Sequence, residues 1–126
     1  TKKTTIWKEP RYLVLQFKRF VYDNYGELNA LKDAVSFPLR DLNLQYFMHK
    51  DSNEQRRSYD LYGIVNHYGN LDSGHYITFI FNENLKRWVE YNDSQVGTVK
   101  DDDIEELANE SEETYILFYK RKSSYY

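Results

Sequence analysis

Tyr59-Asp60-Leu61-Tyr62-Gly63-Ile64-Val65-Asn66-His67-Tyr68, a link Gly69-Asn70-Leu71-Asp72-Ser73-Gly74, and His75-Tyr76-Ile77-Thr78-Phe79-Ile80-Phe81 together decide the fold. Both outer runs are rich in aromatic and β-branched residues, which pack well on a pleated surface, and the link holds the Gly, Asn and Asp that turns require. The pattern predicts two long strands, 59–68 and 75–81, joined as a hairpin with a long tip. Asn82-Glu83-Asn84 then turns the chain into a further strand over 86–91, and 95–99 adds another short one. The sheet is expected to be mainly antiparallel.

Working outward, residues 11–20 alternate Leu13, Leu15, Phe17 and Arg19 against Tyr12, Val14, Gln16 and Lys18, the period of a strand with at least one buried face. Tyr22-Asp23-Asn24-Tyr25-Gly26-Glu27 carries turn chemistry and predicts a hairpin-like loop, after which Val35-Ser36-Phe37-Pro38 is a short extended piece. Leu39, Leu42 and Leu44 predict a brief helical turn, and 49–58 reads as an exposed polar loop that leaves His49 solvated. Asp101 is placed to cap a helix ending near Asn109, with Ile104, Leu107 and Ala108 on one face and an acidic first turn that suits the helix dipole. Residues 114–121 predict a last strand, and 122–126 a tail. The expected fold is therefore α+β, a mainly antiparallel sheet with one or two short helices.

Composition narrows the function classes. The chain has 126 residues, 40% of them hydrophobic and 17% aromatic, enough for one domain with its own core. A net charge of -3 gives no general attraction for nucleic acid. No apolar run approaches the roughly 20 residues of a membrane span. With no cysteine, neither a disulfide framework nor a thiolate metal site can form within these residues. Beginning at Thr1 rather than Met, the chain is expected to be a cut or cleaved piece.

The chemistry gathers around His75. A histidine oriented by a downstream Asn or Asp is the usual base for a nucleophile, and Trp88-Val89-Glu90-Tyr91-Asn92-Asp93 follows at strand-pair distance. Gly74 beside it permits close backbone approach and is expected to leave room for a substrate backbone. His67 is open to two readings, a loop-structuring residue or a substrate contact. A zinc site built from His67, His75 and Asp93 matches no known ligand spacing. Trp88, Tyr91 and Phe118 are expected in the core. Asp101-Asp102-Asp103 with Glu105-Glu106 reads as a solvated helix face, able also to attract a basic partner weakly and salt-sensitively.

Taken in order, the motifs 59–69, Ser73-Gly74-His75-Tyr76, Trp88, Tyr91-Asn92-Asp93-Ser94 and Tyr115-Ile116-Leu117-Phe118-Tyr119 resemble the ubiquitin-specific proteases. Residues 10–20 and Val35-Ser36-Phe37-Pro38 extend the resemblance over nearly the whole chain. The family has a papain-like domain with its cysteine on a helical thumb and its histidine on a β-rich palm. The resemblance therefore implies that residues 1–126 are the C-terminal palm part of such a domain, incomplete without the thumb.

It also implies His75 as general base, Asn92 as the residue orienting it by accepting the Nδ1 proton, and Asp93 as an auxiliary charge. By the same likeness His67, Tyr68 and Gly69 belong to a second loop lying over the ubiquitin tail, 22–28 to a first, and Gly74 and Tyr76 to the tail's channel. The implied reaction is hydrolysis of the bond after ubiquitin's last glycine. Its partners would be ubiquitin, ubiquitinated proteins and the missing thumb, with no cofactor, nucleic acid or membrane, in the cytoplasm or nucleus. The fragment alone would be inactive. The alternative is a binding module of the same fold that never had the cysteine.

Overall fold

The computed structural model describes residues 2–53, 57–70 and 72–123. Among the described residues nine strands form: β1 (Tyr12–Gln16), β2 (Phe20–Tyr22), β3 (Leu28–Ala30), β4 (Leu42–Asn43), β5 (Ser58–Tyr68), β6 (His75–Asn82), β7 (Arg87–Asn92), β8 (Gln95–Val99) and β9 (Thr114–Arg121). A helix, α1 (Asp101–Leu107), follows β8. The main sheet has the order β1-β9-β5-β6-β7-β8 with β4 on the start of β5, and β2 and β3 form a separate ribbon. Every strand pairing in it is antiparallel.

Residue parity divides the sheet into two unlike faces. Ile77, Phe79 and Phe81 of β6 lie on one face with Trp88 of β7, Leu117 and Tyr119 of β9, and Leu13 and Leu15 of β1. That face is the core, closed by Ile104 and Leu107 of α1 and by Leu44, Met48 and Ile6. A bulge at Tyr62, where β5 advances two residues against one on β9, keeps both Leu61 and Ile64 pointing inward. The two buried tyrosines satisfy their hydroxyls at carbonyls, Tyr119 on Pro38 (2.7 Å) and Tyr59 on Pro10. Burial raises the Tyr119 pKa.

Several expectations change. The first strand divides at Phe17-Lys18-Arg19, because Arg19 leaves β1 to fasten the β2–β3 ribbon while keeping its inward parity. The leucines at 39, 42 and 44 do not wind a helix. Leu42 and Asn43 pair with Tyr59 and Ser58 as β4, and the helical turn, of 3-10 type, comes later at Gln45–Phe47. Lys100, not Asp101, stands at the α1 N-cap, and Asp101 is already helical. His49 is half-buried against the Trp7 ring (5.4 Å) and accepts the Asp51 N–H, so it is more than solvated. Trp88 is core, but Tyr91 (39% exposed) and Phe118 lie on the outer face, where Phe118 packs on Gly63. Residues 54–56 of the loop and 124–126 of the tail lie outside the described residues.

Candidate active site

His75 opens β6 and Asn92 closes β7. Asn92 lies one step past the Thr78–Tyr91 pair, so it stands opposite Ile77, diagonal to His75, on the inner face. The two side chains meet: His75 Nε2 is 2.6 Å from Asn92 Oδ1. A carboxamide oxygen can only accept, so the ring holds its proton on Nε2 and leaves the Nδ1 lone pair free. The expected partner nitrogen was Nδ1, and the geometry reverses it.

Asp93 reaches the same ring from the other side, its Oδ2 3.9 Å from Nδ1. Neighbours on a regular strand would diverge. Here β7 ends at Asn92, which pairs with Gln95, and Asp93 starts a two-residue turn with φ of 53°, a left-handed conformation that Asp tolerates. The ring is 43% exposed and the Asp93 side chain 81%, so this attraction is largely screened and acts only when the ring carries charge.

The remaining predicted residues separate. His67 is 6% exposed and sits on the outer face among aromatic rings: Phe20 at 5.5 Å, Tyr76 at 4.7 Å and Tyr115 at 6.3 Å. It is therefore shut off from any substrate arriving through solvent. Burial holds its pKa below the usual histidine value, and the Lys32 charge adds to the effect. The space beside Gly74 is also taken. A Cβ there would collide with His67 Nε2 and Cε1 and with the Asn70 carbonyl oxygen, so the glycine is required by internal packing rather than by room for a substrate. Gly69 is exposed and needs its own lack of side chain, with φ of 86°. Tyr76 is 49% exposed on the outer face, opposite to the His75–Asn92 pair, and the Tyr68 hydroxyl accepts from Asn66 Nδ2 (3.3 Å).

Two contributors escaped the sequence reading. Asn66 is 1% exposed on the inner face with its Oδ1 unpartnered, and the only signal was a carboxamide inside an otherwise apolar strand. Arg19 is 7% exposed and ties the β2–β3 ribbon to the start of β9 through backbone carbonyls. Its inward parity was visible, but not its partners. A concavity of about 1170 Å³ lies at the far end of β6 and β7, lined by Asp60, Phe81, Trp88, Asp101 and Lys122. It does not include His75. Among the described residues no group of three or more His, Cys, Asp or Glu converges on a metal position.

The family model described as "Ubiquitin carboxyl-terminal hydrolase" matches residues 1–119. The chain belongs to that family. Ubiquitin carboxyl-terminal hydrolase 5 of Arabidopsis thaliana is 36% identical over 123 residues, 98% of this chain and 13% of that protein. Ubiquitin carboxyl-terminal hydrolase 15 of Homo sapiens is 35% identical over 125 residues, 99% of this chain and 12% of that protein. Among solved structures, the SAGA Ubp8/Sgf11/Sus1/Sgf73 DUB module bound to ubiquitin aldehyde superposes with a TM-score of 0.76 at 30% identity. The match covers 92% of this chain and 25% of that one. A yeast SAGA DUB module gives 0.75 at 33%, covering 92% and 24%. The ubiquitin carboxyl-terminal hydrolase fold thus accounts for this antiparallel sheet, while the chain spans about an eighth of the curated relatives it matches.

Proposed function

We propose that this chain is the C-terminal, histidine-bearing part of a thiol protease that hydrolyses the isopeptide or peptide bond after ubiquitin's last glycine. The carrying observation is the 2.6 Å contact between His75 and Asn92. His75 is the general base, Asn92 orients it, and Asp93 is an auxiliary charge. With Nε2 engaged, Nδ1 is the nitrogen that faces the nucleophile.

The chain has no cysteine, so the thiol comes from polypeptide beyond these residues, as does an oxyanion-hole donor beside it. The thiolate, paired with doubly protonated His75, attacks the glycine carbonyl. As the tetrahedral intermediate collapses, His75 gives its Nδ1 proton to the departing lysine amine. It then takes a proton from water, whose oxygen attacks the thioester and frees the ubiquitin carboxylate and the thiol. Exposed Gly69, in the link that leads into His75, is the group of this chain that borders the path of the ubiquitin tail, while Tyr76 stands on the opposite face of the sheet from His75. A relative solved with ubiquitin aldehyde supports ubiquitin as the substrate.

The test joins residues 1–126 to the natural upstream sequence and measures release of a fluorescent amine from the ubiquitin C-terminus. His75→Ala should lower kcat by about a thousandfold or more. Undiminished activity would remove His75 from the mechanism. An upstream sequence without cysteine, with ubiquitin binding but no hydrolysis, would instead establish a binding module of the same fold.

A further inference from the structure

The base has a second histidine behind it. His67 lies on β5 directly across from Tyr76, and its ring packs against the Gly74 backbone, so it touches both residues that flank His75. His75 itself points through the sheet to the other face and Asn92. We propose that His67 is a positioning residue, a buried imidazole wedge that fixes the 74–76 backbone and so holds His75 Nε2 on Asn92.

Three observations carry this. First, the ring occupies the volume a side chain at 74 would need, so any displacement of the ring frees the backbone at the start of β6. Second, the wedge is itself held: Phe20 of β2 meets it edge-on at 83°, and Tyr115 of β9 stands beyond. Third, the backbone N–H of His67 donates to the Glu113 carbonyl (2.8 Å), anchoring β5 at this residue where the Asn66–Thr114 register shift bends the ladder. Three strands thereby converge on one side chain that never meets the substrate. A hydrogen bond of 2.6 Å across a diagonal pair tolerates little backbone drift, because such bonds weaken steeply with distance and angle.

The inference rests on the function proposed above, and its test keeps the two apart. The polypeptide extended to the nucleophile, labelled with ¹⁵N-histidine, is compared with His67→Ala, His67→Gln and Phe20→Ala. Steady-state kinetics and the two-bond ¹⁵N–¹H spectrum of the His75 ring are read together. His67→Ala should lower kcat about 10- to 100-fold with KM within about threefold, the size expected for a reacting group misplaced by about 1 Å. Its His75 ring should pass from the single Nε2–H tautomer to a mixture.

His67→Gln keeps a flat group against Gly74 and should lose less than about threefold. Phe20→Ala acts from behind the wedge and should show the same kcat-only loss in smaller degree, which keeps the test open should His67→Ala fail to fold. A parental kcat and tautomer in His67→Ala, or a loss confined to KM, would overturn the proposal. If the parent polypeptide hydrolyses nothing, the functional reading falls. The tautomer spectrum still decides the wedge: an unchanged His75 signal in His67→Ala overturns it.

Discussion

Arg19→Met tests what holds the β2–β3 ribbon beside the candidate site. Arg19 Nε donates to the Thr114 carbonyl (2.9 Å), Nη2 to Ser111 (3.2 Å), and Nη1 to Asp33 and, at 3.4 Å, Leu31. Not all four acceptors are orphaned by the substitution. Ser111 O keeps the Val35 N–H, and residues 31–33 are exposed enough to take water. Thr114 is fully buried, so its carbonyl bears the main loss of about 2 kcal/mol, within the usual 1–3 for an unsatisfied buried group. The untethered ribbon adds about 1 kcal/mol, giving about 3 in total.

For 126 residues the unfolding entropy is about 0.26 kcal/mol/K, so Tm should fall by about 11 °C. Arg19→Lys keeps the charge but not the fork that spans Thr114 and Ser111, and should recover less than half of that loss. Calorimetry on the parent and both variants measures the shifts. A fall below about 3 °C for Arg19→Met, or a Lys variant equal to the parent, would refute the carbonyl clamp.

The remaining predictions concern the two histidines and their partners. In the extended polypeptide, Asn92→Ala should lower kcat about 10- to 30-fold, the kinetic equivalent of about 1.5–2 kcal/mol of lost orientation. Asp93→Ala should cost less than about threefold and less still in high salt, as suits a screened charge, and the reverse order would exchange their roles. His67 also sets a pH dependence of stability. Its folded pKa lies below the reference 6.5, so the unfolded state binds protons first. Stability is then complete above about pH 6.5 and declines as pH falls below it toward the folded value. Lys32 opposes the protonated ring, and the groups packed on it are the rings of Phe20, Tyr76 and Tyr115. Denaturant melts at pH 7.5 and 5.5 should show a smaller acid loss in His67→Gln than in the parent, and an equal loss would assign the decline to other groups.

What could be read from the sequence depended on whether the decisive contact was local. The β5–β6 hairpin was legible because long aromatic and β-branched runs flank a Gly-rich link, and β8 matched its expected 95–99 span. The break after β1 was not. The alternation of residues 13–19 runs on across it, and only the bonds of Arg19 to β9 and to the segment after β3 divide the strand. Leucines at 39, 42 and 44 mimic helical spacing, but a two-residue pairing with β5 wins because the segment lies across the core. The meeting of His75 with Asn92 was readable from motif and spacing. Which ring nitrogen it uses was not, because ring orientation follows from the backbone at Gly74, and that backbone is set by His67 from another strand.

The choice of nitrogen also separates the two candidates for the orienting role. Asn92 and Asp93 sit on opposite nitrogens of one ring, so they cannot substitute for each other without turning it over. With Nε2–H given to the carboxamide, Nδ1 alone is left for the nucleophile, and the Asp93 carboxylate stands on that same side. A thiolate drawing near Nδ1 meets this negative charge, so an orienting role for Asp93 would place repulsion where the reacting pair must form. Its side chain is 81% exposed and can turn into solvent as the nucleophile arrives. An uncharged orienting group on the far nitrogen avoids the conflict, because it fixes the tautomer without adding charge near the thiolate. The order of loss, Asn92→Ala above Asp93→Ala, therefore follows from which face of the imidazole each side chain occupies, not from which is the stronger acceptor.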